Sequence, residues 1–312
     1  MERRVLAIVG PTASGKTKIG IEIAQELKTE IISSDSRQIV RELTIGTAKP
    51  DEVELNKVKH HFINIISLNE KYDVGRFVKE AKEIINRLHS ENRIPVVVGG
   101  SGLYINSLLY GIFEGPSSDD EIRLELEKEL KEKGIESLIK KLQENDPVTY
   151  EKIDKKNPRR IIRALEVFFL TGKPISQLQK EKHQEPPFEK IIFGLLWDRK
   201  KLYERINHRV DQMIEQGLIE EVKEILNKFG ENVNVALQTV GYKEVIDYLK
   251  SKITYNEMIE LIKRNTRRYA KRQLTWFRKV RDINWIEINS EEELDKIAKK
   301  IIKKLDENKN ER

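Results

Sequence analysis

The segment Gly10-Pro11-Thr12-Ala13-Ser14-Gly15-Lys16-Thr17 constrains this 312-residue chain more than any other. It fits the spacing G-x-x-x-x-G-K-[ST], and its neighbours supply the context that spacing needs. Ahead of it, Val5–Val9 is an unbroken apolar run, suited to a strand buried in a parallel sheet. Behind it, Ile19, Ile23 and Leu27 recur at helical spacing. A glycine loop between strand and helix lets backbone N–H groups curl around an oxyanion, and the helix adds its positive end. Lys16 neutralises phosphate charge, and the Thr17 hydroxyl suits a Mg²⁺ position. Gly10, Pro11, Thr12, Ala13, Ser14, Gly15, Lys16 and Thr17 are therefore the candidate diphosphate-binding residues. The loop does not say whether its ligand is a di- or a triphosphate.

The pattern repeats downstream. Glu30-Ile31-Ile32 reads as a strand ending in Ser33-Ser34-Asp35-Ser36, and Val96-Val97-Val98 as another ending in Gly99-Gly100-Ser101-Gly102. The expected fold is α/β, a P-loop-like parallel sheet flanked by helices, with ligands at the carboxyl ends of its strands. A hydrolysing nucleotidase normally places an Asp for Mg²⁺ at a second strand end. Here Gly99-Gly100 follows the strand, and no Asn-Lys-x-Asp sequence reads guanine. These absences argue against a motor or a GTPase switch and suggest a diphosphate that departs as a leaving group. Asp35, three residues after Ile32, can take a proton from an attacking nucleophile or cap a turn. The Ser101 hydroxyl can bind phosphate or a base, or serve an ordinary turn. The residues alone leave both pairs of readings open.

The chain carries 58 Lys+Arg against 52 Asp+Glu, a net charge of +6, with 35% charged residues. It has no Cys, which excludes disulfides, thiol catalysis and Cys-ligated metals. No apolar run approaches the roughly 20 residues of a membrane helix. Arg3-Arg4 resembles a twin-arginine signal, but the apolar run behind it is too short for one. A cytoplasmic protein, soluble and monomeric, is expected.

Composition shifts at Gly115-Pro116-Ser117-Ser118, and no strand is evident from there to Gln184. Glu121–Leu142 reads as helix. Asp146-Pro147 and Asn157-Pro158 read as helix starts, and Gly172 with Pro174 as a stop. The organisation expected is a catalytic core over 1–115 and 190–312 with a helical insertion over 116–189. Lys190–Trp197 resumes strand composition, the remainder reads as mostly helical, and the tail from Asp306 as frayed.

Two basic clusters stand out. Lys263 to Arg281 holds nine basic residues and no acid, with Tyr269, Trp276 and Phe277 interleaved. Ile262, Tyr269, Gln273 and Trp276 fall near one helical side. Lys155-Lys156-Asn157-Pro158-Arg159-Arg160, with Arg163, lies in the insertion. Local clustering of this kind, more than the net +6, fits a phosphate backbone. Arg205 and Arg209, four apart on a helix, either pair with acids or complete a diphosphate clamp with Lys16. The five His residues show no metal spacing, and adjacent His60 and His61 face different ways.

Taken in order, these segments resemble one family, the tRNA dimethylallyltransferases, also named tRNA isopentenyltransferases. The resemblance rests on Gly10–Thr17, Asp35-Ser36-x-Gln38, Gly46-Thr47-Ala48-Lys49-Pro50, Val98–Tyr104, Arg159–Val167, Thr171-Gly172, Arg205-x-x-x-Arg209, Gly217-Leu218, Val240–Glu244 and Arg272-Gln273-x-x-Trp276-Phe277-Arg278. It spans nearly the whole chain. It implies transfer of a dimethylallyl group from dimethylallyl diphosphate to N6 of adenine 37 beside the tRNA anticodon, with Mg²⁺ assisting and pyrophosphate leaving. It assigns the base to Asp35, makes Thr17 and Arg209 catalytic on the diphosphate side, and puts Asp35, Ser36, Arg37, Gln38 and Ser101 against the tRNA. It makes the insertion, an all-helical domain, the grip on the anticodon stem-loop through Arg123, Arg159, Arg160, Ile161, Ile162 and Arg163. The chain departs from the family at Val40, where a Tyr is usual. It also lacks the Cys that a C-terminal zinc finger of eukaryotic relatives would need. Competing readings are a P-loop small-molecule or nucleoside phosphate kinase and a non-catalytic RNA-binding protein. Neither accounts for the whole ordered set.

Overall fold

In a computed structural model, the described residues are 3–111, 115–116, 119–181, 185–230, 233 and 238–310. Ser117, Ser118 and Gln184, which fall at the expected boundaries of the insertion, lie outside them. The chain forms two compact units, one of Met1–Leu109 with Pro187–Arg312 and one of Tyr110–Pro186.

The first unit is built on a six-stranded sheet. Its strands are β1 (Arg4–Val9), β2 (Ile31–Ser34), β3 (His60–His61), β4 (Val96–Gly99), β5 (Glu189–Trp197) and β6 (Ile283–Ile288). The order is β3-β2-β4-β1-β5-β6, and every pairing is parallel. Leu6 is flanked by Val96 on one side and Ile191 on the other. All of β1 is buried, as expected of a strand covered on both faces. Helices α1 (Lys16–Glu26), α2 (Glu52–Lys57), α3 (Val74–Ser90) and α4 (Gly102–Tyr110) connect the first strands. Ile19 and Ile23 of α1 join Leu6, Ile8, Val96 and Phe193 in the core, as their spacing predicts.

The last part is mostly helical, as expected, and Ile283–Ile288 adds an edge strand, β6, that the sequence reading does not contain. The two-residue β3 is also missing from the sequence reading; a strand this short has no alternation to detect.

The second unit contains α5 (Asp120–Lys133), α6 (Ile135–Asn145), α7 (Pro147–Lys152), α8 (Pro158–Thr171) and α9 (Ile175–Glu181), with no strand among its described residues. The single helix expected over Glu121–Leu142 is two, because Gly134 (φ 78°) breaks it. The expected starts are present. Asp146 accepts from Thr149 N at 2.9 Å ahead of Pro147, and Asn157 from Arg160 N at 3.3 Å ahead of Pro158. Gly172 ends α8 in the left-handed conformation.

The first unit continues with α10 (Arg199–Glu215), α11 (Leu218–Phe229), α12 (Tyr242–Leu249), α13 (Tyr255–Phe277) and α14 (Glu291–Asn310). Helix α14 carries past Asp306, where the sequence suggested fraying. No described helix is long and apolar enough to cross a membrane.

Candidate active site

The loop Gly10–Thr17 joins β1 to α1, and three of its carbonyls are held by side chains. Lys16 Nζ donates to Pro11 O at 2.5 Å, Arg205 Nε to Ala13 O at 2.7 Å, and Trp197 Nε1 to Ser14 O at 3.1 Å. Ala13 (φ 61°) and Gly15 (φ 88°) both take the left-handed conformation that curls the chain. At Gly15 a Cβ would also lie 2.9 Å from Leu294 Cδ2 of α14, so glycine serves both the curl and the packing.

A cavity of about 580 Å³ opens beside this loop. Thr12 to Thr17, Asp35, Ser36, Arg37, Gln38, Gly100, Arg205 and Arg209 all line it. So do Ile262, Thr266, Tyr269 and Gln273, which recur along one side of α13 and make it the cavity wall. Of the one-sided pattern noted in the sequence, Ile262, Tyr269 and Gln273 face the cavity, whereas Trp276 is not in its lining and lies against Gly102. The basic residues Arg264, Arg268 and Lys271 of the same helix are exposed.

The cations divide by partner. Arg205 is engaged on every side: Nε on Ala13 O, an ion pair with Glu291, and its plane 4.4 Å from the Trp197 ring centroid. Burial, then the neighbouring Arg209, pull its guanidinium down to about 10. Arg209 makes no hydrogen bond or ion pair with a described residue. Burial lowers its pKa, with Glu54 opposing. Geometry thus separates two arginines that the residues alone do not, and it agrees with the one the resemblance implies. Arg205 braces the loop and Arg209 is available to a ligand.

Burial and then Arg209 push the Lys16 ammonium down to about 7, with Asp35 opposing. An anion bound between Lys16 and Arg209 would restore it upward, so binding takes up a proton above pH 7. Pyrophosphate affinity is expected to fall by about tenfold per pH unit above that point through this group. Calorimetry of wild type against Lys16→Met checks this, since the variant should keep only the ligand's own pH dependence.

Across the cavity, Asp35 follows β2. Its Oδ1 accepts from Arg37 N at 2.9 Å and Gln38 N at 3.4 Å, so it does cap its own turn. No described residue makes a hydrogen bond or ion pair to Oδ2. Ser101 Oγ accepts from Ser36 N at 3.0 Å and lies 3.3 Å from Ser36 Oγ. Gln38 Nε2 reaches Thr47 O and Ala48 O at 3.2 and 3.1 Å, fixing the segment Gly46–Pro50 against the turn. Tyr269 is half-buried near Asp35, and desolvation, then that carboxylate, raise its hydroxyl pKa. His60, absent from the candidate residues, also lines the cavity. Its Nδ1 is 2.8 Å from Val58 O, and its buried Nε2 has no hydrogen-bond partner among the described residues. Among the described residues no group of three or more His, Cys, Asp or Glu could hold a metal ion.

A family model described as IPP transferase matches residues 38–280. The tRNA dimethylallyltransferase of Acetivibrio thermocellus is 48% identical over 303 residues, 96% of each chain. That of Carboxydothermus hydrogenoformans is 47% identical over 304 residues, 97% of each. The chain belongs to the IPP transferase family. Among solved structures, a full-length tRNA isopentenylpyrophosphate transferase from Bacillus halodurans superposes with a TM-score of 0.71 at 39% identity, covering 98% of both chains. A eukaryotic dimethylallyltransferase acting on tRNA gives 0.77 at 28% identity, over 91% of this chain and 73% of that one.

Several segments shared with this IPP transferase family prove to be scaffold. Tyr242 donates from its hydroxyl to Glu221 Oε1 at 2.5 Å, and Glu221 Oε2 accepts from Ile45 N at 2.8 Å. Glu244 accepts from Gly241 N and Asn265 Nδ2, both at 2.7 Å. Val40, where the resemblance leads to the expectation of a Tyr, is buried at 2% exposure and does not line the cavity.

In the second unit the six residues assigned to tRNA have different surroundings. Ile161 and Ile162 are core residues packed with Leu126, Leu138 and Leu142, which corrects their assignment: buried apolar side chains offer nothing to a polyanion. Arg123 and Arg163 both pair with Glu166, which is fully buried, at 3.0 and 2.8 Å. Arg163 also donates to Pro116 O at 2.8 Å. Removing either arginine would leave Glu166 less compensated, so both carry structure. Arg159 and Arg160 are exposed.

Proposed function

We propose that this protein transfers a dimethylallyl group from dimethylallyl diphosphate to N6 of adenine 37 of tRNA, releasing pyrophosphate. The observation that carries the reading is one cavity bordered on one side by the phosphate loop with Lys16 and Arg209, and on the other by Asp35. Membership of the IPP transferase family supplies the chemistry. In the proposed step N6 attacks C1 of the dimethylallyl group. The C1–O bond breaks, its electron pair leaves on the diphosphate, and the N6 proton passes to Asp35. Adenine N6 is a weak nucleophile because its lone pair is delocalised, so a nearby carboxylate is useful. Lys16 and Arg209 bind the charge that grows on the leaving group. The adenine must leave its stack to reach this cavity.

Mg²⁺ fits the residues present. Thr17 and Asp35 offer oxygen donors, and Mg²⁺ commonly takes few protein ligands and completes its shell from phosphates and water. It would supply charge neutralisation at the diphosphate, with Thr17 holding it.

The tRNA anticodon stem-loop is read as lying on the exposed Arg159 and Arg160 of the second unit. The protein is proposed to act as a cytoplasmic monomer. Replacing Arg159 and Arg160 together by Ala is expected to weaken tRNA binding and reduce the salt slope by about two. Titrations over a range of salt check this, and an unchanged slope refutes the contact.

The reaction itself is tested with labelled dimethylallyl diphosphate or ATP, Mg²⁺ and unmodified tRNA reading codons that begin with U. Label passing from the prenyl donor into tRNA supports the reading. Transfer from ATP alone, or binding without turnover, overturns it.

A further inference from the structure

The donor and acceptor sides of the cavity lie on different loops, after β1 and after β2 and β4. One side chain joins them. Gln273, buried on α13, accepts from Thr12 N through Oε1 at 2.8 Å and donates from Nε2 to Gly100 O at 2.9 Å. The fit is tight, because a Cβ on Gly100 would lie 2.3 Å from Gln273 Nε2. From Gly100 the connection continues to its neighbour Ser101. Ser101 N donates to Ser34 O at 3.2 Å, and its Oγ holds Ser36 N, next to Asp35. A continuous path of covalent and hydrogen bonds therefore runs from the phosphate loop to the Asp35 turn.

We propose that Gln273 is a positioning residue that fixes the phosphate loop relative to the Asp35 turn, so that filling one orders the other. The proposal rests on the reaction read above. A primary amide suits the role because it presents one acceptor and two donors on a short rigid plane. Here the acceptor meets an N–H of one loop and a donor meets a C=O of the other. Group transfer needs the reacting atoms held in near-attack geometry, and a displacement of about 1 Å can cost about a hundredfold. Two loops tethered only to their own strands lack that constraint.

Two measurements test this on the full-length protein. The first is hydrogen exchange with inorganic pyrophosphate as probe. In wild type, pyrophosphate should protect amides of 12–17 and also those of 34–38 and 100–102. In Gln273→Met, of similar volume but without the amide, protection should persist at 12–17 and be lost at the other two segments. Protection confined to 12–17 in wild type, or equal protection of all segments in the variant, overturns the coupling. The second is steady-state kinetics of Gln273→Met and Gln273→Glu. The Glu variant keeps an acceptor for Thr12 N and loses the donor to Gly100 O. Both should lower kcat by about ten- to a hundredfold with KM for dimethylallyl diphosphate little changed. Unchanged kcat, or a rise in KM with kcat retained, overturns the role. Failure of wild type to transfer the prenyl group would overturn the reading of the reaction, while the exchange experiment still decides the coupling.

Discussion

Replacing Asp35 by Asn is expected to lower kcat by about a thousandfold, the middle of the range for loss of a positioned base. Asn can still accept from Arg37 N and Gln38 N, the bonds that shape the turn. The loss should therefore appear in kcat and not in tRNA or pyrophosphate affinity. Single-turnover transfer measured beside equilibrium binding separates the two. A variant that loses tRNA affinity but turns over normally once saturated would remove Asp35 from the chemistry and leave it as a turn residue.

Replacing Arg209 by Met should act on the other half of the step. Its guanidinium is partly buried, faces the cavity and makes no hydrogen bond or ion pair with a described residue, so a ligand is its natural counter-charge. Loss of one group that stabilises developing negative charge costs about a hundred- to a thousandfold in kcat. Pyrophosphate affinity should fall with it, because the departing and departed anions share the site. The effect on melting temperature should be small or favourable, since a desolvated cation close to Lys16 and Arg205 is removed. A variant that melts at a clearly lower temperature yet binds pyrophosphate normally while folded would reverse the roles given to Arg205 and Arg209.

How much of this was legible in the sequence follows the range of the interactions. The phosphate loop, its strand and its helix are local, and spacing alone reveals them. Helix starts at Asp146 and Asn157 are local too, since cap and first turn are contiguous. The position of Asp35 at a strand end was readable, but the state of its two oxygens was not. Gln273 shows the limit. Its partners Thr12 and Gly100 are 261 and 173 residues away, so no periodicity announces the contacts. Arg205 and Arg209 look alike in a helix, and only Ala13 O, Trp197 and Glu291 tell them apart. Charge was the less reliable guide in the second unit. Arg123 and Arg163 read as surface cations, whereas the buried Glu166 engages both. Strand β6 lies between a basic helix and another helix, and its pattern was lost in that surrounding.

The supports of the phosphate loop have a consequence for biosynthesis. The loop is complete once residue 17 has been made, but Trp197, Arg205, Gln273 and Leu294 reach it only later. Its own strand waits as well, because β1 pairs with β5 across a separation of 185 residues, Arg4 against Glu189. Long-range pairings of this kind form late, and chains fold as synthesis delivers their parts. A chain cut before α13 carries the motif with Trp197 and Arg205 but without Gln273 and Leu294, so its loop is braced on one side alone.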